Sequence, residues 1–290
     1  MDDLVGVEIA NDPVRWGTAD AALYALAVGA GRDDPASELA FTTDNTHVPQ
    51  RTLPTFAATL AGRSGVPAML HAVGEHFDLS TMLHGDQTHE QFEELPPAGS
   101  AEARTVITGI WDKGRAAVVQ FETTMLDVPT GRRLSRSTSS MFFRGAGGWG
   151  GPRGPQTQPF VPDEEPAAVL TATTSASQPL LYRLTGDANP LHTDPEVARA
   201  SGFERPIMHG MSVFGVVGRT LLNEVAAGDP ARFDSLSCRF AAPVMPGDTL
   251  AIDLWMDKPG SARFTVASES GHTVLSDGAF EFSPEDAAAQ

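Results

Sequence analysis

The sequence predicts an α+β fold in which an antiparallel sheet wraps a long helix, with that unit built twice. Three observations carry the expectation. Between Arg144 and Pro166 the chain reads "RGAGGWGGPRGPQTQPFVPDEEP", too dense in Gly and Pro for a regular element to run through it. On either side of that divider the same landmarks recur in the same order: "LYALAVGAG" (23–31) against "LYRLTGDAN" (181–189), and "FEELPPAG" (92–99) against "FAAPVMPG" (240–247). Each half also offers a helix-forming run followed by runs rich in β-branched and aromatic residues.

These observations divide the chain into an N-terminal repeat (1–145), a Gly/Pro-rich linker (146–166) and a C-terminal repeat (167–290). In the first repeat, "TADAALYALAVGA" predicts a helix capped by Thr18 and built from strong helix formers. "ARTVITGIWDKGRAAVVQFETTMLD" and "RLSRSTSSMFFR", with turns at "DKG" and "PTG", predict antiparallel hairpins. The second repeat follows the same plan, with "SGFERPIMHGMSVFGVVGRTLLNEVA" as its long helix and "DTLAIDLWMDKPGSARFTVASESGHTVLSDGAFEF" as strands. Gly202, Gly210, Gly215 and Gly218 weaken that helix, which implies a close approach of its backbone to something else. Tyr24 and Tyr182, the only two tyrosines, are 158 residues apart, while the later pair of landmarks is 148 apart. The first copy therefore carries about ten extra residues between them.

Composition excludes several functions. A net charge of −17 argues against nucleic acid or an anionic membrane as partner, although it leaves room for a local basic patch. The lone Cys238 rules out an intrachain disulfide and a multi-thiolate metal site, and reads as apolar filler on the strand-like "SLSCRF". "MDDLVGVEIANDP" lacks the basic and apolar regions of a leader peptide, and no apolar run reaches membrane-spanning length, so a cytoplasmic protein is expected. "HGDQTHE" lacks the order of a helical metal motif, and His71, His76, His84 and His89 read as surface or satisfied polar groups. "GAGGWGG" does not follow the strand, glycine loop, helix order of a dinucleotide site. Neither a cofactor nor a metal is expected.

One stretch carries chemistry. "LTGDANPLHTD" (184–194) sets Asp187 and His192 five residues apart, in a loop marked by Gly186 and Pro190. In the tyrosine register the first copy has Gly29 and Asp34 at these places, so only the second copy holds the pair. A carboxylate and a neutral imidazole aimed at one water can share proton removal and delivery without a metal. Further on, His209 and Gly210 open a helical stretch, where a free backbone N–H can bond a developing oxyanion. Together these groups suit addition of water to a double bond conjugated with a carbonyl. Asn189 can hold the pair through its amide, and Arg183 or Arg205 can meet a phosphate-bearing carrier. The plainer alternative is an Asx turn in which Asp187 caps the loop and His192 is exposed.

"YRLTGDANPLHTDPEVARASGFERPIMHGM" (182–211) resembles the signature of the MaoC-like (R)-specific enoyl-CoA hydratases, or hydratase 2. "LPTFAATLAG", "LHGDQ", "GGWGG" and "ARFDSLSCRFAAPVMPGDTL" extend the resemblance over nearly the whole chain, to the two-domain members that include the hydratase 2 unit of peroxisomal multifunctional enzymes. The resemblance implies a double hot-dog fold, Asp187 and His192 as catalytic dyad, the Gly210 amide polarising the thioester carbonyl, and Asn189 as an accessory site residue; the residues themselves add Arg183, Arg205 and His209 to Asn189 as the expected substrate-binding set. The resemblance also implies a hydro-lyase that interconverts a trans-2-enoyl-CoA and water with an (R)-3-hydroxyacyl-CoA; the first repeat, relieved of the pair, is expected to widen the acyl pocket. Asp44 in "FTTDN" matches an acidic residue of the family only loosely and is left out of the catalytic set. The C-terminal "AAAQ" is not a peroxisomal address. The expected partner is an acyl-CoA or acyl-carrier-protein thioester. A homodimer and a monomer whose repeats pair internally are both open. The alternatives in function are an acyl-CoA thioesterase, which would release free thiol, and a non-catalytic acyl-thioester-binding module.

Overall fold

The computed structural model describes residues 2–156 and 158–284; the "AAAQ" terminus lies outside them. The chain runs β1 (Glu8–Trp16), α1 (Thr18–Ala27), α2 (Leu39–Thr42), α3 (Phe56–Val73), β2 (Met82–Gln91), β3 (Gly99–Asp112), β4 (Ala116–Asp127) and β5 (Arg133–Arg144). After the Gly/Pro segment come β6 (Ala168–Thr173), α4 (Gln178–Tyr182), α5 (Pro195–Ala200), α6 (Gly210–Val225), β7 (Phe233–Phe240), β8 (Thr249–Lys258), β9 (Ser261–Ala267) and β10 (Thr273–Phe282). The sheet order is β1-β3-β4-β5-β2-β7-β10-β9-β8-β6. Read from each outer edge inward, the halves have the same topology, and they meet antiparallel at β2 and β7, with Gln87 opposite Cys238 and Thr88 opposite Ser237. This is one sheet wrapped around two central helices, a double hot-dog arrangement, as expected.

The duplicated landmarks meet in space. Tyr24 and Tyr182 are both buried, with ring centroids 6.4 Å apart. The glycines of α6 allow the second repeat's helix to lie against the first repeat. A Cβ at Gly215 would come within 2.5 Å of the Tyr24 hydroxyl and 2.6 Å of Val28, and one at Gly218 within 2.7 Å of Thr55. Gly202 has open space around it; its φ of +89° serves the turn that follows α5.

Several elements differ from the sequence reading. The helix wrapped by the first half of the sheet is α3, whereas the Ala-rich α1 stops at Ala27 and is capped by Gly17, with Thr18 as its first residue. α3 contains Gly62, Gly65 and Pro67, which conceal it from a propensity reading. Tertiary packing overrides that cost, because only a residue without a Cβ lets the helix sit on Thr123 and Phe121 at Gly65. β1 contains Pro13, which hides it from a strand pattern and which an edge strand tolerates. "LHGDQTHEQ" lies in β2, at the seam between repeats. His71 and His76 are exposed as expected, but His84 is half-buried and His89 is fully buried, with Nδ1 bonded to Ser137 Oγ at 3.0 Å. The second long helix starts only at Gly210, because Pro206 keeps the preceding residues out of helical geometry.

The Gly/Pro segment folds back on the first repeat, where the Asp112 carboxylate accepts the N–H groups of Gly114, Gly148 and Gly150. Cys238 is buried on β7, and burial pushes its thiol pKa up, which makes it inert filler. Among the described residues no helix is long and apolar enough to cross a membrane.

Candidate active site

The loop between α4 and α5 is built from the residue types its sequence supplies. Gly186 takes φ +122°, a conformation that disfavours any side chain, and turns the chain into Asp187. Asp187 Oδ1 accepts the Asn189 N–H at 3.1 Å, and Asn189 Oδ1 accepts the Leu191 N–H at 3.1 Å. Two successive Asx turns thus hold the loop, as the plainer reading expects, although His192 is half-buried and not exposed. Pro190 starts a short 3-10 turn that ends at His192 and half-buries its ring.

The proton positions follow from the acceptors. His192 Nδ1 lies 3.0 Å from the Ile207 carbonyl oxygen, which can only accept, so Nδ1 carries the proton and Nε2 keeps its lone pair. His209 is buried beside it, with ring centroids 3.9 Å apart, and its Nε2–H donates to the Asp187 main-chain carbonyl at 3.2 Å. Burial lowers the His192 pKa, against the opposing pull of the Ile207 carbonyl and the Asp187 charge. The pKa of His209 is pushed down to about 3, first by burial and then by repulsion from His192. Both rings are therefore neutral at pH 7.

One nitrogen or oxygen atom from each of Asp187, His192 and His209 lies within 4.8 Å of the others. The two rings stack with their planes tilted by 32°, and each turns one nitrogen to a main-chain carbonyl, His192 Nδ1 to Ile207 and His209 Nε2 to Asp187. Asp187, Asn189, His192 and Gly210 all line a cavity of about 670 Å³. Gly210 is the first residue of α6, where backbone N–H groups have no partner within the helix. A Cβ there would approach the Phe240 ring to 3.3 Å, so the glycine keeps the helix end open to the cavity.

The remaining expected residues lie elsewhere. His209 packs behind His192, outside the cavity wall, and so acts on it instead of touching a ligand. Arg183 and Arg205 are exposed and do not line the cavity, because their short segments turn outward from the loop. Asp44 is exposed too. The cation on the cavity wall is Arg63 of α3, whose Nε–H donates to the Thr185 carbonyl at 2.6 Å. His84 of β2 also lines the cavity, with its ring 4.5 Å from Phe240, and burial lowers its pKa to about 4. His84 lies in the "LHGDQ" landmark and Arg63 directly follows "LPTFAATLAG", but each reaches the site only through the pairing of the repeats.

Comparison with known proteins agrees with this layout. Residues 15–145 match the family model described as the MFE-2 hydratase 2 N-terminal domain, and residues 157–276 match the MaoC like domain. The chain is 39% identical to 3-hydroxyacyl-thioester dehydratase Y of Mycobacterium tuberculosis, covering 92% of this chain and 93% of that protein. It is 37% identical to the enoyl-CoA hydratase ChsH3 of the same organism, over 96% of each. A crystal structure of a MaoC-like dehydratase from Phytophthora capsici superposes with a TM-score of 0.87 at 29% identity, covering 99% of this chain and 98% of that one.

Proposed function

The chain belongs to the MaoC-like dehydratase family, in its two-repeat hydratase 2 form, and from that premise we propose that it adds water to trans-2-enoyl-CoA to give (R)-3-hydroxyacyl-CoA, and catalyses the reverse. The observation that carries this reading is the neutral His192, with a free Nε2 lone pair, beside Asp187 on the wall of a mainly apolar cavity that also holds the start of α6.

In hydration the enoyl group lies in the cavity with its thioester oxygen at the Gly210 N–H. Asp187 and His192 hold a water against C3. As the water oxygen bonds to C3, His192 Nε2 takes one of its protons, and the C2–C3 π pair moves toward the carbonyl to form an enolate. The partial positive charge at the N-terminus of α6 stabilises that oxygen. The proton is then delivered to C2, so H and OH are added, nothing is oxidised or reduced, and the thioester stays intact. A neutral base is suited to this cycle, since it must both gain and lose a proton near pH 7.

Incubation with a trans-2-enoyl-CoA should remove the conjugated enoyl absorbance without releasing free CoA thiol. Release of thiol would make the protein a thioesterase instead. Absorbance unchanged with both short and long acyl chains would leave a binding module.

A further inference from the structure

Resting on that reading, we propose that Arg63 is a positioning residue, through which the repeat that lacks the dyad clamps the catalytic loop of the repeat that has it. Arg63 and Thr59 stand one turn apart on α3 and so face the same way. Thr59 Oγ1 shares a hydrogen bond with the Tyr182 hydroxyl at 3.1 Å, between two buried side chains. Arg63 Nε–H donates to the Thr185 carbonyl at 2.6 Å. Thr185 is itself tied to Tyr182 through its hydroxyl, which donates to the Tyr182 carbonyl at 2.7 Å. α3 thus grips the chain at both 182 and 185, immediately before Asp187.

Gly186 shows that this contact is built in. Besides its positive φ, a Cβ at that position would lie 2.8 Å from Arg63 Nε and 3.0 Å from its Cγ, so the loop lies on the arginine with no room for a side chain. Tyr182 carries the constraint onward, with its ring 4.9 Å from His209, which stacks on His192. Burial lowers the Arg63 pKa, and the Asp20 charge opposes that without any carboxylate in ion-pair contact with Arg63 among the described residues; the direct neighbours of the guanidinium are the Phe56 ring, with its centroid 5.9 Å from Cζ, and the Thr185 carbonyl. A half-buried cation held by a main-chain oxygen next to a catalytic aspartate is spent on geometry, and misplacing a reacting group by about an ångström costs on the order of 10²-fold in rate.

The test compares wild type, R63Q and R63K on an enoyl-CoA and on the matching enoyl-pantetheine, which lacks the nucleotide phosphates. Amide exchange at Asn189 and Leu191, whose N–H groups close the two Asx turns, is measured alongside. R63Q should lower kcat on both substrates by the same factor, on the order of 10²-fold, with KM little changed. It should also speed exchange at those two amides while β4 amides stay protected. R63K, which keeps a cationic N–H donor, should recover part of the rate. A loss confined to KM for the CoA substrate would overturn the proposal and make Arg63 a phosphate reader; unchanged exchange in R63Q would also overturn it. If wild type hydrates neither thioester, the proposed function falls, and the exchange result still decides the clamp.

Discussion

At His192 the Nδ1 proton is committed to the Ile207 carbonyl, so the ring offers water a lone pair, and burial disfavours positive charge on it. Asp187→Asn and His192→Ala should each lower kcat by roughly 10²–10⁴-fold while leaving Tm within a few degrees of wild type, since both side chains project from a loop. Steady-state kinetics with thermal melts check this, and retained turnover removes the residue from the chemistry. The acid limb of kcat/KM should lie below the ordinary histidine value of 6.5, because burial keeps His192 neutral to lower pH. A limb centred at or above 6.5 in the pH profile would contradict the assignment. Asp187, Asn189 and His192 were legible in sequence because Gly, Pro and two Asx residues fix their geometry within eleven residues. Arg63 was not, since its partner at Thr185 lies 122 residues along the chain, and no local pattern encodes that distance.

Among the elements, α6 was legible from its glycines and α3 was not, for opposite reasons. In α6 the glycines break an apolar run at helical spacing and so point to a close neighbour, which is Tyr24, Val28 and Thr55 of the first repeat. In α3 the glycines and Pro67 stand beside small residues, and only packing on the sheet makes the helix. Gly215→Ala should therefore cost on the order of 1–3 kcal/mol by overpacking, because the added methyl meets Tyr24 and Val28 in a filled core. Gly62→Ala, on half-buried α3 surface with nothing within 4 Å of the added methyl, should be neutral or slightly stabilising through helix propensity. Denaturant melts distinguish the two, and equal effects would contradict the packing account. "HGDQTHE" leaves surface and satisfied interior histidines both open; the seam between repeats decides it by burying Gln87 and His89, the latter bonded to Ser137 Oγ.

Over the whole molecule, folding buries histidines that must stay neutral, His89 at the seam of β2 and β7 and His209 at the start of α6. Burial lowers the pKa of His89 to about 4 and of His209 to about 3, against 6.5 for an unfolded histidine. Between those values the unfolded chain binds more protons than the folded one, so stability is full above pH 6.5 and declines as pH falls below it, with a slope approaching about 1.4 kcal/mol per pH unit for each group. Thermal melts should show Tm falling from pH 7 to pH 5 by roughly 5 °C or more; a flat profile would mean that these histidines titrate freely. The duplicated topology was legible because the tyrosine and Phe-Pro-Gly landmarks keep their order, whereas the set of residues lining the cavity was not, since both repeats wall it. The most direct measurement is the product of enoyl-CoA hydration in D₂O, resolved on a chiral column and by mass. The account predicts (R)-3-hydroxyacyl-CoA alone, with one deuterium at C2 and the thioester intact. An (S) or racemic alcohol, or a free acid, would contradict it.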